Sequence, residues 1–232
     1  RKTVGNAEEC RQRMIDLQEM LVGELNIGVT YSFSPILTET IFTFMKKYKG
    51  VKLNISYKPM ADLMEMLRRN EIDFVLAFKP SVPVAGIESH VLFQNYLAAI
   101  VGDSHPLASK ERVSLDELAG YNLVLPSKGL QARNALDKIL ERYPRDFDIR
   151  MELNDPNILL DLIRHSKLVT VLAETSVLNQ QGVKAIPIDV LENEMIGCVH
   201  TLVGTYHKKS TCEFVKLLRE SIAVKERANA WL

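Results

Sequence analysis

Residues 23–35 read Gly-Glu-Leu-Asn-Ile-Gly-Val-Thr-Tyr-Ser-Phe-Ser-Pro, and the fold turns on how this stretch is parsed. Leu25 to Val29 predicts a short apolar strand, and Gly23 before it predicts a helix stop. Ser34-Pro35 predicts a helix start, with a hydroxyl at the cap and proline at the first helical position. Strand, loop and helix make the first half of a β-α-β unit. The next forty residues complete it. Leu37, Ile41, Phe44, Met45 and Tyr48 share one helical face, Val51 to Tyr57 alternate as a strand, and Pro59 opens a helix with Leu63, Met66 and Leu67 inward. Asp73 to Phe78 is a nearly continuous apolar run, as a strand covered on both faces requires. This order predicts a parallel sheet with helices on both sides and right-handed crossovers.

Farther along, Ile87 to Phe93 and Tyr96 to Val101 read as two strands. Gly102-Asp103-Ser104-His105-Pro106 then breaks the pattern and is a candidate hinge. A second β/α series follows: a short capped helix at Ser114 to Leu118, a strand at Tyr121 to Leu125, a helix at Leu130 to Arg142 and a strand at Phe147 to Leu153. Asp155-Pro156 caps another helix, and Leu168 to Leu172 and Val183 to Ile188 read as strands. Cys198 to Gly204 looks like a strand leading back across the hinge. A closing helix spans about Thr211 to Arg227. The expected fold class is α/β, with two Rossmann-like lobes joined by two crossing strands. The first would be residues 24–101 plus 203–232 and the second 102–202; a single extended sheet is the alternative.

Upstream, Ala7, Cys10, Met14, Leu17 and Leu21 recur at spacings of three and four, the seam of a coiled coil. Residues 1–22 therefore read as a linker or dimerisation helix, or else as a surface helix packed on its own domain. The chain opens with Arg1 rather than Met, which leads us to expect a missing natural N-terminus. With 232 residues, 29 basic and 29 acidic, the chain can bury a sizeable core but has no basic excess to attract nucleic acid. No apolar run approaches the roughly 20 residues that span a bilayer. Cys10, Cys198 and Cys212 show no metal or redox spacing, and reduced thiols in a cytoplasmic protein are the plainer reading.

Enzyme signatures are scarce. GxSxG, Walker, GxGxxG and HExxH patterns are missing, and His90, His105, His165, His200 and His207 have no ligand-like spacing. We expect no catalytic residue, cofactor or metal. Two loops of matching construction, one in each expected lobe, carry the more specific signal. Thr30 leads through Tyr31-Ser32-Phe33-Ser34 into a helix, and Leu125 leads through Pro126-Ser127-Lys128-Gly129 into another. Each is expected to offer unpaired backbone N–H groups, hydroxyls and the positive end of a helix dipole. If the lobes face each other, the loops become opposite walls of one cleft suited to a small anion. Lys128 and Lys79 could supply charge there, and Tyr31, Phe33 and Phe78 could pack on the ligand's carbon skeleton. The plain alternative is that the serines satisfy loop backbone and the lysines are solvated.

The stalk helix leading into Gly23 to Val29 resembles the join between linker helix and regulatory domain in LysR-type transcriptional regulators. Leu63 to Asp73, His105-Pro106-Leu107-Ala108, and Leu115 to Leu118 before Tyr121 resemble the same family, in its order and spacing. The resemblance implies a cytoplasmic bacterial regulator that binds a small-molecule effector between two lobes of periplasmic-binding-protein type. It implies an N-terminal winged helix-turn-helix that contacts DNA and is absent from this chain, homodimers or homotetramers, and no membrane. It places the effector contacts at Ser32, Phe33 and Ser34, at Met60, at Phe78, and at Ser127, Lys128 and Gly129, with Tyr31 beside them. One departure stands out: Ser166-Lys167-Leu168 and Ala173-Glu174 replace the family's glycine-rich turn and its proline after the strand. Glu174 would add a negative charge near a carboxylate. The competing readings are a transporter's solute-binding protein and an enzyme on the same fold, for which Glu174 and Lys128 are the nearest to an acid–base pair. A redox sensor using Cys198 and Cys212 is a further reading.

Overall fold

The computed structural model describes residues 21–228. The expected helix over residues 1–22, with Cys10, lies outside the described residues except for its last two positions. Those two do not continue a helix: strand β1 runs Val22–Val29, and Gly23 sits inside it at φ 110. It starts three positions before Leu25 because Val22 pairs in register with Gly50 of β2, Gly50–Tyr57.

The described residues gather into two units. Unit 1 comprises 21–30, 36–93 and 197–228; unit 2 comprises 31–35 and 94–196. In unit 1, β1 lies between β2 and β3 (Phe74–Phe78), parallel to both, as the β-α-β-α-β order requires. Helix α1 spans Ser34–Lys47 and α2 spans Met60–Arg68. Ser34 is the first residue of α1, and a 3-10 turn at Tyr31–Phe33 stands before it where a simple serine cap was expected.

All five residues of β3 are buried, which explains their unbroken apolar run. On one face, Val75 and Ala77 pack with Leu63, Met64, Leu67 and Ile72. A Cβ on Gly28 would come within 2.7 Å of Ile72 Cδ1 and 2.9 Å of Leu63 Cδ2, so α2 needs a bare backbone at that point of β1. On the other face, Phe214 stacks at 5.0 Å from Phe44 and 5.8 Å from Phe74, in the tilted geometry aromatic pairs prefer. Phe214 belongs to α6, Lys209–Glu220. The expected closing helix is broken: Ser221 is extended, and α7 restarts at Ile222–Ala228 with Ser221 Oγ accepting from Val224 N.

The two strands expected over residues 87–101 are one. β4 runs unbroken from Ile87 to Gly102. Asn95, between the two expected strands, lies inside this one and is buried. β9, Glu194–Leu202, begins four residues ahead of Cys198 and runs antiparallel to β3, with Ala77 opposite Cys198. The chain passes from unit 1 to unit 2 along β4 and returns along β9.

Unit 2 has strand pairs of two kinds, β5 (Asn122–Pro126) with β6 (Asp148–Leu153) in a two-stranded sheet, and β7 (Thr170–Ala173) and β8 (Val183–Pro187) on β4 in the seven-stranded one. β5 pairs in parallel with β6 and, through Leu123 and Val169, with the approach to β7. β7 and β8 each pair antiparallel with the second half of β4. Helix α3 (Leu115–Leu118) opens with the reciprocal Ser114–Glu117 capping box. Helix α4 (Gln131–Arg142) follows β5, and α5 (Pro156–Arg164) follows β6 with Asp155 accepting from the N–H groups of Asn157 and Ile158. The candidate hinge at Gly102–Pro106 is the end of β4, closed by a 3-10 turn that His105 caps through Nδ1. Among the described residues no helix is long and apolar enough to cross a membrane.

Candidate functional site

Two 3-10 turns meet in unit 2. Tyr31–Phe33 packs against Glu174–Val177, the turn that follows β7. Ser176 donates its hydroxyl hydrogen to Ser32 Oγ at 2.9 Å, joining residues 144 positions apart. Next to Ser176, the buried Thr175 Oγ1 accepts from Asn95 Nδ2 at 3.1 Å. Asn95 is 1 % exposed, and its carbonyl oxygen Oδ1 has no hydrogen-bond partner among the described residues. A buried amide oxygen without a partner costs about 1–3 kcal/mol, so this corner of unit 2 is built around unmet polar capacity.

The second loop is held rigidly. Ser127 N donates to Leu153 O at 2.7 Å, and Leu130 N to Ser127 O at 3.3 Å. Asn134 clamps Gly129 from both sides, accepting from its N–H at 3.1 Å and donating to its carbonyl at 3.3 Å. Gly129 adopts φ 91, a backbone region that side chains disfavour. Beneath the loop, buried Arg133 donates to Pro126 O at 3.2 Å, to Glu152 at 2.6 Å and to Asp137 at 2.8 Å. Burial opposes the guanidinium charge, but the two carboxylates outweigh it and raise its pKa. The expectation of freely available N–H groups therefore fails for Ser127, Gly129 and Leu130, which are already bonded. What the loop presents outward is Lys128, exposed, and the half-buried Ser127.

Tyr31 feels charged groups of unit 2. Burial pushes the Tyr31 phenol up to about 12, with Arg164 opposing and Asp155 adding to the shift. Asp155 stands two positions beyond Leu153, whose carbonyl holds Ser127. Glu174, half-buried, opens the turn that carries Thr175 and Ser176. At the other departure from the family pattern, Ser166 Oγ donates to Leu162 O at 2.6 Å and accepts from Leu168 N at 3.2 Å, tying the turn by side-chain bonds.

Of the nine expected site residues, Tyr31, Ser32, Phe33, Ser34, Ser127, Lys128 and Gly129 belong to unit 2, and Met60 and Phe78 to unit 1. Phe33 and Phe78 are 0 % and 2 % exposed, so both rings are enclosed by the fold. Met60 is the half-buried first residue of α2, packed at the edge of the Leu63–Ile72 cluster. Sequence reading missed Asn95, Thr175 and Ser176. The signal for them was slight: a lone asparagine inside an apolar strand, and two hydroxyls after a buried strand.

The LysR substrate binding domain model matches residues 18–222. The chain belongs to that family. It is 24 % identical over 187 residues to the HTH-type transcriptional regulator YybE of Bacillus subtilis, covering 79 % of this chain and 63 % of that protein. The chain spans about three fifths of the length of the curated relatives it matches. Its fold is similar to the regulatory domain of CcmR from Synechocystis PCC6803 in complex with 2-PG, with a TM-score of 0.76, 20 % identity, and 88 % of this chain and 98 % of that one covered. It is also similar to the effector binding domain of QuiR in complex with shikimate, with a TM-score of 0.73, 17 % identity and the same coverage of 88 % and 98 %. The LysR-family domain thus has the periplasmic-binding-protein-like α/β architecture, and its relatives are transcriptional regulators.

Proposed function

We propose that this chain senses a small, anionic metabolite for a cytoplasmic LysR-type transcription regulator, and that the metabolite binds in unit 2 at the Ser32–Ser176 hydroxyl pair. The hydrogen bond between those two hydroxyls carries the reading. It brings the loop after β1 to the turn after β7, and either hydroxyl can turn its hydrogen to an incoming carboxylate or phosphate oxygen. Lys128 would supply charge and Tyr31 an apolar face. The small metabolites seen with CcmR and QuiR support the size class. Binding would favour one arrangement of the regulatory domain and pass that bias to a DNA-binding segment outside this chain.

Calorimetry against a panel of small carboxylates and phosphates, beginning with shikimate and 2-PG, tests the site. For the binder found, Ser32→Ala and Ser176→Ala should each weaken affinity about tenfold, with melting temperature little changed. Equal affinity in both variants removes the site.

We further propose that the domain works as a dimer with a second copy of itself. In unit 1, Phe42 and Met45 on α1, and Ile55 and Tyr57 on the edge strand β2, are exposed; Phe42 is 73 % so. Isolated apolar residues are common on surfaces, but four on two elements consecutive in sequence, one of them an edge strand, suit an interface. Phe42→Glu should shift the sedimentation coefficient from dimer to monomer. A wild-type monomer at high micromolar concentration would contradict the dimer.

A further inference from the structure

The end of β4 leads into a buried titratable group that the effector reading does not use. His105 is 4 % exposed and caps the 3-10 turn Pro106–Ser109, where Leu107 N donates to its Nδ1 at 3.1 Å. A ring nitrogen accepts only when it carries no hydrogen, so the ring is neutral and its hydrogen is on Nε2. Nε2 is buried and has no hydrogen-bond partner among the described residues. A proton added to Nδ1 would therefore set N–H against N–H inside the fold, and the cap would be lost.

The surroundings keep the ring neutral and give its cap reach. The Tyr121 ring lies 4.9 Å away, centroid to centroid. Lys167, in the turn before β7, is the charged group whose field reaches the imidazole. From α5, which packs on Gly102, Arg164 is committed to Asp161 and to Gln181 O. Burial is the main cause of a pKa held below the usual histidine value; the Lys167 backbone works against that shift and the Lys167 charge with it. The capped turn also ties β8 to the end of β4. Lys184 of β8 donates to Ala108 O, and Asp103 N donates to Gly182 O at 3.3 Å. β8 packs in turn against Glu174–Val177, the turn that carries Ser176.

We propose that His105 is a proton-operated latch on unit 2, closed while the ring is neutral and released when Nδ1 takes up a proton. In the released turn the ring meets water and titrates near the ordinary value of about 6.5. The latch is thus fully closed above that pH and opens progressively as pH falls below it. Each unit of pH below about 6.5 favours release by up to about tenfold. One consequence rests on the effector site proposed above. Because β8 braces the Ser176 turn, release in acid weakens the hold on an effector there, and an effector in turn resists the proton.

The test is amide hydrogen exchange of the whole chain without any effector, followed by NMR from about pH 7.5 to about pH 5 and corrected for the intrinsic rate. Leu107 and Asp103 should each lose protection about tenfold below about pH 6.5. Val124 of the same unit, whose amide bonds Val169 O at 2.9 Å, should keep its own, which separates a local latch from unfolding of the unit. His105→Asn retains an acceptor for Leu107 and cannot titrate, so its protection should be independent of pH. Should that variant fail to fold, the wild-type His105 ring resonances serve instead: their titration midpoint should coincide with the loss at Leu107. His200→Gln should leave the loss in place. Protection of Leu107 that ignores pH, a loss that persists in His105→Asn, or midpoints more than about one unit apart would each overturn the latch. With no effector present, such a result leaves the Ser32–Ser176 site standing.

Discussion

In unit 1 two buried hydroxyls finish their own helices, while Thr30 and Thr201 reach other strands. Thr40 returns its hydroxyl to Ile36 O at 3.0 Å, and Ser221 returns its own to Leu218 O at 2.7 Å. The weight of the fold there falls on rings: Phe44, Phe74 and Phe214. Unit 2 has, Phe33 apart, a mainly aliphatic core, and several of its buried polar groups reach far along the chain. Asn193 donates to Leu97 O and Ile188 O and accepts from Leu97 N, Arg133 ties α4 to β6, and Asn95 holds the turn after β7. Long-range polar clamps fix loops in place, which is what a binding surface needs; local ones only finish helices. Unit 1 thus leans more on packed rings, beside long-range bonds such as those of His200, and unit 2 more on hydrogen bonds that hold its loops.

Three experiments press on that contrast. The largest effect is expected at Phe214→Ala, which empties the junction of α1, β3 and α6 and should cost about 3–5 kcal/mol of unfolding free energy by urea titration. A loss below about 1 kcal/mol would mean the rings do not carry unit 1.

Next is the pH dependence of unit 1. Buried His200 bonds Ser89 through Nδ1 at 2.9 Å and Ala77 O through Nε2 at 3.2 Å, an arrangement that suits the neutral ring. Burial depresses its pKa to about 4. As pH falls from about 6.5 toward 4 the unfolded chain takes up a proton that the folded chain refuses, so stability declines by up to about 3 kcal/mol across that window and holds above it. His200→Gln should flatten the profile. An unchanged slope in that variant would assign the titration to another group.

The smallest of the three is Arg133→Met. Its guanidinium is buried but Asp137 and Glu152 are partly exposed, so solvent screens part of the loss and about 1–2 kcal/mol is expected. The sharper readout is local. Amide hydrogen exchange should speed up at Ser127 and Gly129 while β1 and β3 stay protected. Uniform acceleration in both units would erase the distinction between packed and pre-organised halves.

The β-α-β-α-β order of unit 1 was legible because each element carries its own signal. The alternation over Val51 to Tyr57, the apolar run Phe74 to Phe78, and Pro59 and Pro156 at helix starts all act through neighbours in sequence. Boundaries slipped where a distant partner decides: Val22 joins β1 because Gly50 lies beside it, and β4 runs unbroken through Asn95, whose amide reaches Thr175. The family match was legible too, since motif order survives without contacts.

The candidate site divides the same way. Composition and turn chemistry by themselves marked the loops at residues 31–34 and 126–129, the Gly129 turn, and the exposed cation at Lys128. Only the tertiary structure could assign residues 31–35 to unit 2, bring Ser32 to Ser176, enclose Phe33 and Phe78, and consume the N–H groups of the second loop. The physical reason is range: helix caps and strand alternation are settled within about four residues, whereas a hydroxyl pair 144 positions apart exists only once unit 2 has folded.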